Sequence, residues 1–437
     1  EILIGLVGSE MCIRDRGEGM DPAIGCLILL GVMALLFITE LIPLAVTAMG
    51  GAIICGFLNF IPDNVVFSGL SHPTVTLFAG MFVVGAAMFH TGLAHSIGVF
   101  IVKRAGKSQK NLMLCIMIVA AVLSMCLSNT GTAACLLPVV MGICAAAKMA
   151  PSRQLLPLAY AVCSGGMISL VGTPPNIIVS GALSNFGYRP FGFFEFAWVG
   201  VPLTVLTILY MYFAGRRLLP EGGEVPEKFL AELDPMQHNV PKQVIAGCIL
   251  LGCIIVMCLD LQKITIEMAA VIGALVCVLT GCLTEKQAYH SIEWSTIFLF
   301  AGMMPVSHAL YNTGAAELLA RWILEALGTP SPLAITMLLF AVTALLTQFM
   351  SNSASAALIA PIGIVIAQKL GISPYPLLMV IAVASSCAYA TPIGTPPCTL
   401  MVGPGNYRFV DYIKAGLPLI LLCFAATVII VPLVWPF

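Results

Sequence analysis

Apolar runs long enough to cross a lipid bilayer alternate with short polar breaks along nearly the whole chain. A spanning helix needs about 20 residues. On that measure the first half predicts spans near 22–39, 42–60, 74–90, 155–185 and 197–215, and the second half near 243–260, 264–282, 294–308, 376–402 and 415–435. Two further apolar stretches, 111–147 and 333–368, are split in the middle by Ser128-Asn129-Thr130 and by Ser351-Asn352-Ser353. Hydroxyls and amides amid apolar sequence cost free energy unless they line a cavity or find partners, because lipid offers none. Each stretch is therefore expected to be a re-entrant hairpin with its polar tip inside the membrane. Leu93 to Arg104 and Ala315 to Leu327 read as amphipathic interfacial or scaffold helices. The one hydrophilic joint is 216–242.

The two halves repeat. Leu77-Phe78-Ala79-Gly80-Met81 returns as Leu299-Phe300-Ala301-Gly302-Met303, Thr91-Gly92 as Thr313-Gly314, and Gly172-Thr173-Pro174-Pro175 as Gly394-Thr395-Pro396-Pro397, all offset by 222. Ser128-Asn129 returns as Ser351-Asn352 at 223. Five crossings and one hairpin per half is an odd count, so residues 243–437 are expected to form a second repeat inverted relative to residues 20–215. Lysines and arginines support an orientation with residue 20 outside. Lys103, Arg104, Lys107, Lys110, Lys148, Arg153, Arg216, Arg217, Lys228, Lys242, Lys286, Arg408 and Lys414 then fall inside, against Arg189, Lys263, Arg321 and Lys369 outside. That leaves an outside amino terminus with no span before it, which suggests a first helix missing from the sequence. Residues 1–19 resemble a translated sequencing adapter and are expected to be artefact or disordered, the chain proper beginning near Met20.

Composition agrees with the pattern. With 60% hydrophobic residues, 9% charged and a mean hydropathy of +1.04, 437 residues cannot bury their apolar surface in one water-soluble core. The chain is read as an all-α polytopic membrane protein. A net charge of -1 gives no reason to expect a nucleic-acid partner. The 16 cysteines include no CxxC pair and read as small packing residues; the six histidines show no HExxH or other zinc spacing. Without such a motif or a GxSxG elbow, an intramembrane enzyme is disfavoured and no catalytic residue is assigned.

The chemistry then follows from residue types at the midplane. Exposed amides at helix N-termini favour anions, and free carbonyls favour cations. In Gly-Thr-Pro-Pro the prolines remove backbone donors and disfavour helix before them, leaving carbonyls beside a hydroxyl. An oxygen cage for Na⁺ is expected from Ser124, Ser128, Asn129 and Gly172, with a mate from Thr347, Ser351, Asn352 and Gly394. Glu40, Asp260, Glu267 and Glu293 fall at span ends, with no acid near a midplane, which favours sodium over proton coupling. No lysine or arginine is placed to neutralise an anion there.

These paired Ser-Asn-Thr type motifs, the two Gly-Thr-Pro-Pro segments and the repeat with hairpins resemble the divalent anion:sodium symporter family over essentially residues 20–437. The resemblance implies a homodimer whose transport domain moves elevator-like across a scaffold domain. It also implies an anion held between the hairpin tips by Ser128, Asn129, Thr130, Ser351, Asn352 and Ser353, with Thr173 and Thr395 nearby. Ser353 where many relatives have Thr, Gln348 where an acid is common, and Cys398 at the place of Asn176 depart from the family pattern, and bear on substrate rather than fold. The expected function is sodium-coupled symport of C4 dicarboxylates such as succinate, malate or fumarate across a bacterial inner membrane. A dicarboxylate exchanger and a sulfate or citrate carrier of the same fold are the alternatives.

Overall fold

A computed structural model describes residues 21–97, 108–147, 149–220, 240–259, 263–327 and 331–437. Among these no strand occurs, and the helices run α1 (Pro22–Thr39), α2 (Leu44–Phe57), α3 (Pro73–His90), α4 (Gln109–Cys126), α5 (Asn129–Ala147), α6 (Ser152–Gly166), α7 (Pro174–Asn185), α8 (Ala197–Phe213), α9 (Val240–Cys258), α10 (Ile266–Leu279), α11 (Glu285–Ser291), α12 (Trp294–Asn312), α13 (Ala315–Leu327), α14 (Pro332–Leu346), α15 (Asn352–Leu370), α16 (Pro374–Ser386), α17 (Pro396–Gly405) and α18 (Phe409–Val434). Among the described residues, α1, α3, α4, α9, α15 and α18 are long and apolar enough to cross a membrane. α1, α9 and α18 turn Ile28, Leu35, Leu251, Ile255, Leu421 and Ile429 outward. An exterior of that kind is stable only against lipid or another apolar surface.

Proline punctuates the chain. Pro22, Pro73, Pro174, Pro332, Pro374 and Pro396 each open a helix, where the missing N–H is no loss. The stretches 155–185 and 376–402, each expected as a span whose helix is broken at Gly-Thr-Pro-Pro, are two helices separated by the non-helical segments 167–173 and 387–395. Thr173 (φ -141, ψ 139) and Thr395 (φ -148, ψ 136) are extended because the following proline ring excludes the helical region. α9 begins at Val240, inside the stretch read as a linker, and the short α11, opened by a Thr284/Gln287 capping box, was not anticipated. Residues 1–19, the joint at 221–239 and the amphipathic stretch beyond Ile97 lie outside the described residues.

Each repeated motif has a structural reason. Gly92 (φ 78) and Gly314 (φ 74) end α3 and α12 in the left-handed region that glycine tolerates best. Gly80 and Gly302 allow helices to touch. α10 packs on α3 and α2 on α12, and a methyl group at Gly80 would come within 2.7 Å of the Ala270 backbone, one at Gly302 within 2.5 Å of Ala48. Ala48 and Ala270 are themselves 222 apart, so each contact has a mate with the halves exchanged. The same exchange relates α7 on α15 to α17 on α5. Two groups result: α1–α3 with α9, α10 and α12, and α4–α8 with α14–α18.

Gly80→Ala and Gly302→Ala should each destabilise the protein by roughly 1–3 kcal/mol, the usual cost of overpacking, although alanine is the better helix former. Melting temperature in detergent reads this; a rise in either variant would mean that the helices do not approach so closely.

Candidate functional site

The polar clusters at 128–130 and 351–353 sit where two helices begin. α4 ends at Cys126, Leu127 is extended (φ -121, ψ 159), and α5 starts at Asn129. α14 ends at Leu346 and α15 starts at Asn352 after the N-cap Ser351. The Gly131 N–H donates to Ser128 Oγ at 3.2 Å, and the Ala354 N–H to Ser351 Oγ at 3.2 Å. Both serines therefore act as helix caps, each keeping its hydroxyl proton free to donate.

A cavity of about 450 Å³ lies between these starts and those of α7 and α17. All eight residues expected to bind an anion line it: Ser128, Asn129, Thr130, Thr173, Ser351, Asn352, Ser353 and Thr395. The first residues of four helices thus border one space; α5 and α15 bring dipole ends with first-turn amides, whereas α7 and α17 open on Pro-Pro, whose nitrogens carry no hydrogen, and bring the dipole end alone. Thr173 Oγ1 is buried there without a hydrogen-bond partner. Phe78, Met81, Phe82, Phe89 and Leu299 form an apolar wall, with His90, His290 and Glu293 also on the lining. Among the described residues no Lys or Arg lines it, while Glu293 does, at the N-cap of α12. Apolar periodicity placed Glu293 at a span end correctly, yet could not reveal that this end borders the cavity.

Behind the cavity stand two oxygen clusters. Around Asn129 are Ser124 Oγ at 2.6 Å, Gly172 O at 3.1 Å and Val162 O at 3.3 Å. Around Asn352 are Thr347 Oγ1 at 2.9 Å, Gly394 O at 3.0 Å and Ser385 O at 3.0 Å. An amide meeting such a set has two orientations. With NH₂ inward it donates to these oxygens; with its oxygen inward it joins an oxygen cluster, which a hard cation would hold. Of the expected ion ligands, Ser124, Asn129 and Gly172 come together, as do Thr347, Asn352 and Gly394. The other two expected ligands, Ser128 and Ser351, cap helices through their Oγ atoms.

Reading the sequence missed the Val162 and Ser385 carbonyls, which have no residue-type signal. It also missed a clamp whose signal was legible, a hydroxyl three residues before the glycine of each Gly-Thr-Pro-Pro. Ser169 Oγ donates to Met125 O (2.5 Å) and accepts from the Gly172 N–H (3.1 Å); Thr391 Oγ1 donates to Gln348 O (2.6 Å) and accepts from the Gly394 N–H (3.3 Å). Gly172 and Gly394 admit no side chain, since a methyl group would lie 2.8 Å from Ser124 O or 2.3 Å from Thr347 O.

Comparison with known proteins fits a transport site. The citrate transporter family matches residues 34–365 and 354–436. An uncharacterised transporter of Haemophilus influenzae is 30% identical, over 91% of this chain and 88% of its own. The sodium-dependent dicarboxylate transporter SdcS of Staphylococcus aureus is 26% identical, over 87% and 80%. The Alcanivorax borkumensis YdaH transporter structure is similar in fold, with a TM-score of 0.60 at 17% identity over 95% of this chain and 98% of that one.

Gly166 supplies a test of the Asn129 cluster, because a methyl group there would stand 2.2 Å from Asn129 Oδ1. Gly→Ala in a helix normally stabilises by roughly 0.5–1 kcal/mol. Gly166→Ala should instead lower the melting temperature, while Ala388→Gly at the matching position of the second repeat should not touch Asn352. Stabilisation by Gly166→Ala would show that the amide is not held where it stands.

Proposed function

The chain belongs to the citrate transporter family, and from that membership we propose that this integral membrane protein is a sodium-coupled symporter of divalent anions, C4 dicarboxylates first among them. The observation that carries the reading is the pair of oxygen clusters at Asn129 and Asn352, built from matching residues of two repeats and backing one cavity bordered by four helix N-termini. The SdcS name, sodium-dependent dicarboxylate transporter, supports both the ion and the anion class.

The asparagine amide couples the two. Without sodium its NH₂ turns inward, satisfied by the cluster, and its oxygen faces the cavity, where it repels a carboxylate. With sodium in the cluster the oxygen turns inward as a ligand and the NH₂ faces the cavity as a donor. Sodium binding thus converts an acceptor into a donor on the anion's side and adds positive charge behind it, so the anion binds the ion-loaded form more tightly. Ser128, Thr130, Thr173, Ser351, Ser353 and Thr395 donate hydroxyl protons to carboxylate oxygens, in place of a lysine or arginine, neither of which lines the cavity among the described residues.

In the same reading the halves are inverted repeats, and α4–α5 and α14–α15 re-enter from opposite faces of a bacterial inner membrane. The group α4–α8 with α14–α18 moves across the remaining helices, elevator fashion, within a homodimer. The exchanged contacts of Gly80 with Ala270 and of Gly302 with Ala48 support the two-fold relation. Citrate is the second reading, favoured by the family matched and by a cavity of about 450 Å³, which has room beyond a four-carbon dianion.

Labelled succinate should enter proteoliposomes when an inward sodium gradient is present and not when choline replaces it. Uptake that ignores sodium but accelerates on preloading with dicarboxylate would make the protein an exchanger; uptake of citrate alone would move the assignment to the second reading. Asn129→Ala and Asn352→Ala should abolish uptake with membrane insertion intact. Asn129→Asp should separate the two tasks: its carboxylate keeps an oxygen for the ion but presents another to the anion, so sodium still raises the melting temperature while uptake falls by tenfold or more, about the worth of one charge-assisted hydrogen bond.

A further inference from the structure

The non-helical segments 167–173 and 387–395 carry the Gly172 and Gly394 carbonyls, and the two repeats hold these segments by different side chains. In the first repeat Asn176, 1% exposed on α7, donates through Nδ2 to Ser169 O at 2.8 Å. Its counterpart in the second repeat, 222 residues on, is Cys398. The Cys398 thiol is a weak donor and lies 3.7 Å from Ala388 O, leaving Thr391, the counterpart of Ser169, without that bond. What replaces it comes from the opposite side. Gln348, 6% exposed at the turn before α15, donates through Nε2 to Ala344 O (2.7 Å) and Cys387 O (3.0 Å), and its Oε1 accepts from the Ala390 N–H (3.0 Å). The backbone N–H fixes which way this amide faces. Its counterpart in the first repeat is Met125, which can make none of these bonds.

We propose that Gln348 performs in the second repeat the positioning task of Asn176 in the first, so that Gln348 and Cys398 are one compensating pair. Each side chain holds the segment that aims a glycine carbonyl at its asparagine, a consequence that rests on the sodium reading above. The bracing differs in origin. Asn176 ties its segment to the helix that follows, whereas Gln348 ties the second segment to the hairpin tip, doubling the bond already made from Thr391 Oγ1 to Gln348 O. Tip and segment of the second repeat therefore move as one body, while in the first, among the described residues, the bond from Ser169 Oγ to Met125 O has no second brace of the Gln348 kind beside it.

Hydrogen exchange of the purified full-length protein in sodium-free detergent tests the pins without reference to transport. Gln348→Met should speed exchange over 387–395 about tenfold, the effect of losing a buried hydrogen bond, and leave 167–173 unchanged. Asn176→Cys should do the reverse. Adding Cys398→Asn to Gln348→Met should restore protection over 387–395; if the double variant does not fold, the opposite selectivity of the two single variants decides. Unchanged exchange over 387–395 in Gln348→Met, or loosening spread equally through both repeats, overturns the proposal. In proteoliposomes Gln348→Met should raise the sodium concentration for half-maximal uptake about tenfold with maximal uptake largely kept, whereas a general folding defect would lower the maximum. Wild-type uptake indifferent to sodium would refute the sodium reading and not the pin, which the exchange data decide separately.

Discussion

Lipid supplies no hydrogen bonds, so every helix break inside a membrane must be satisfied by the protein itself. The structure breaks its helices at 127–128, 167–173, 347–351 and 387–395, in largely buried surroundings. Ser128 and Ser351 cap the helices beyond two of them, while Ser169, Asn176, Thr391 and Gln348 bond the backbone exposed at the other two. The polar side chains that make the fold tolerable are thus next to those that make the site, because a break yields both an orphan backbone and a place for a ligand.

That shared origin explains why the two oxygen clusters resemble one another. An asparagine opening a helix, a hydroxyl five residues earlier and a glycine carbonyl from a proline-interrupted segment recur as Asn129, Ser124 and Gly172 and as Asn352, Thr347 and Gly394. The surrounding support is less faithful to the repeat. Cys398 and Gln348 stand where the first repeat has Asn176 and Met125, and Ala388 stands where it has Gly166, against which Asn129 is packed. Within the clusters the same kinds of oxygen recur. The supporting positions differ between the repeats, each bracing its segment with a different side chain.

Much of the fold was legible because membrane helices announce themselves by length. The bounds of α1, α3, α13 and both hairpin stretches, and the broken helices implied by Pro174 and Pro396, follow from apolar runs and proline chemistry. α11 escaped because its seven residues, Glu285–Ser291, are polar and too short for periodicity to register. All eight expected anion-site residues line one cavity, since polar side chains in apolar sequence have few other places to go. Glu293, His90 and His290 were not foreseen on its wall, because a charged residue at a helix end looks the same whether that end meets solvent or a cavity.

The sequence by itself determined the membrane-embedded helical class, the repeat and the residue types of the site, because each is carried by local pattern or by one fixed offset. Only the tertiary structure decided that Ser128 and Ser351 cap helices, that the Val162 and Ser385 carbonyls join the oxygen clusters, and that Gln348 reaches Cys387 and Ala390. Backbone oxygens carry no residue identity, and which of them converge depends on how separate segments cross. That crossing is set by close contacts such as Gly80 on Ala270, between residues far apart in the chain.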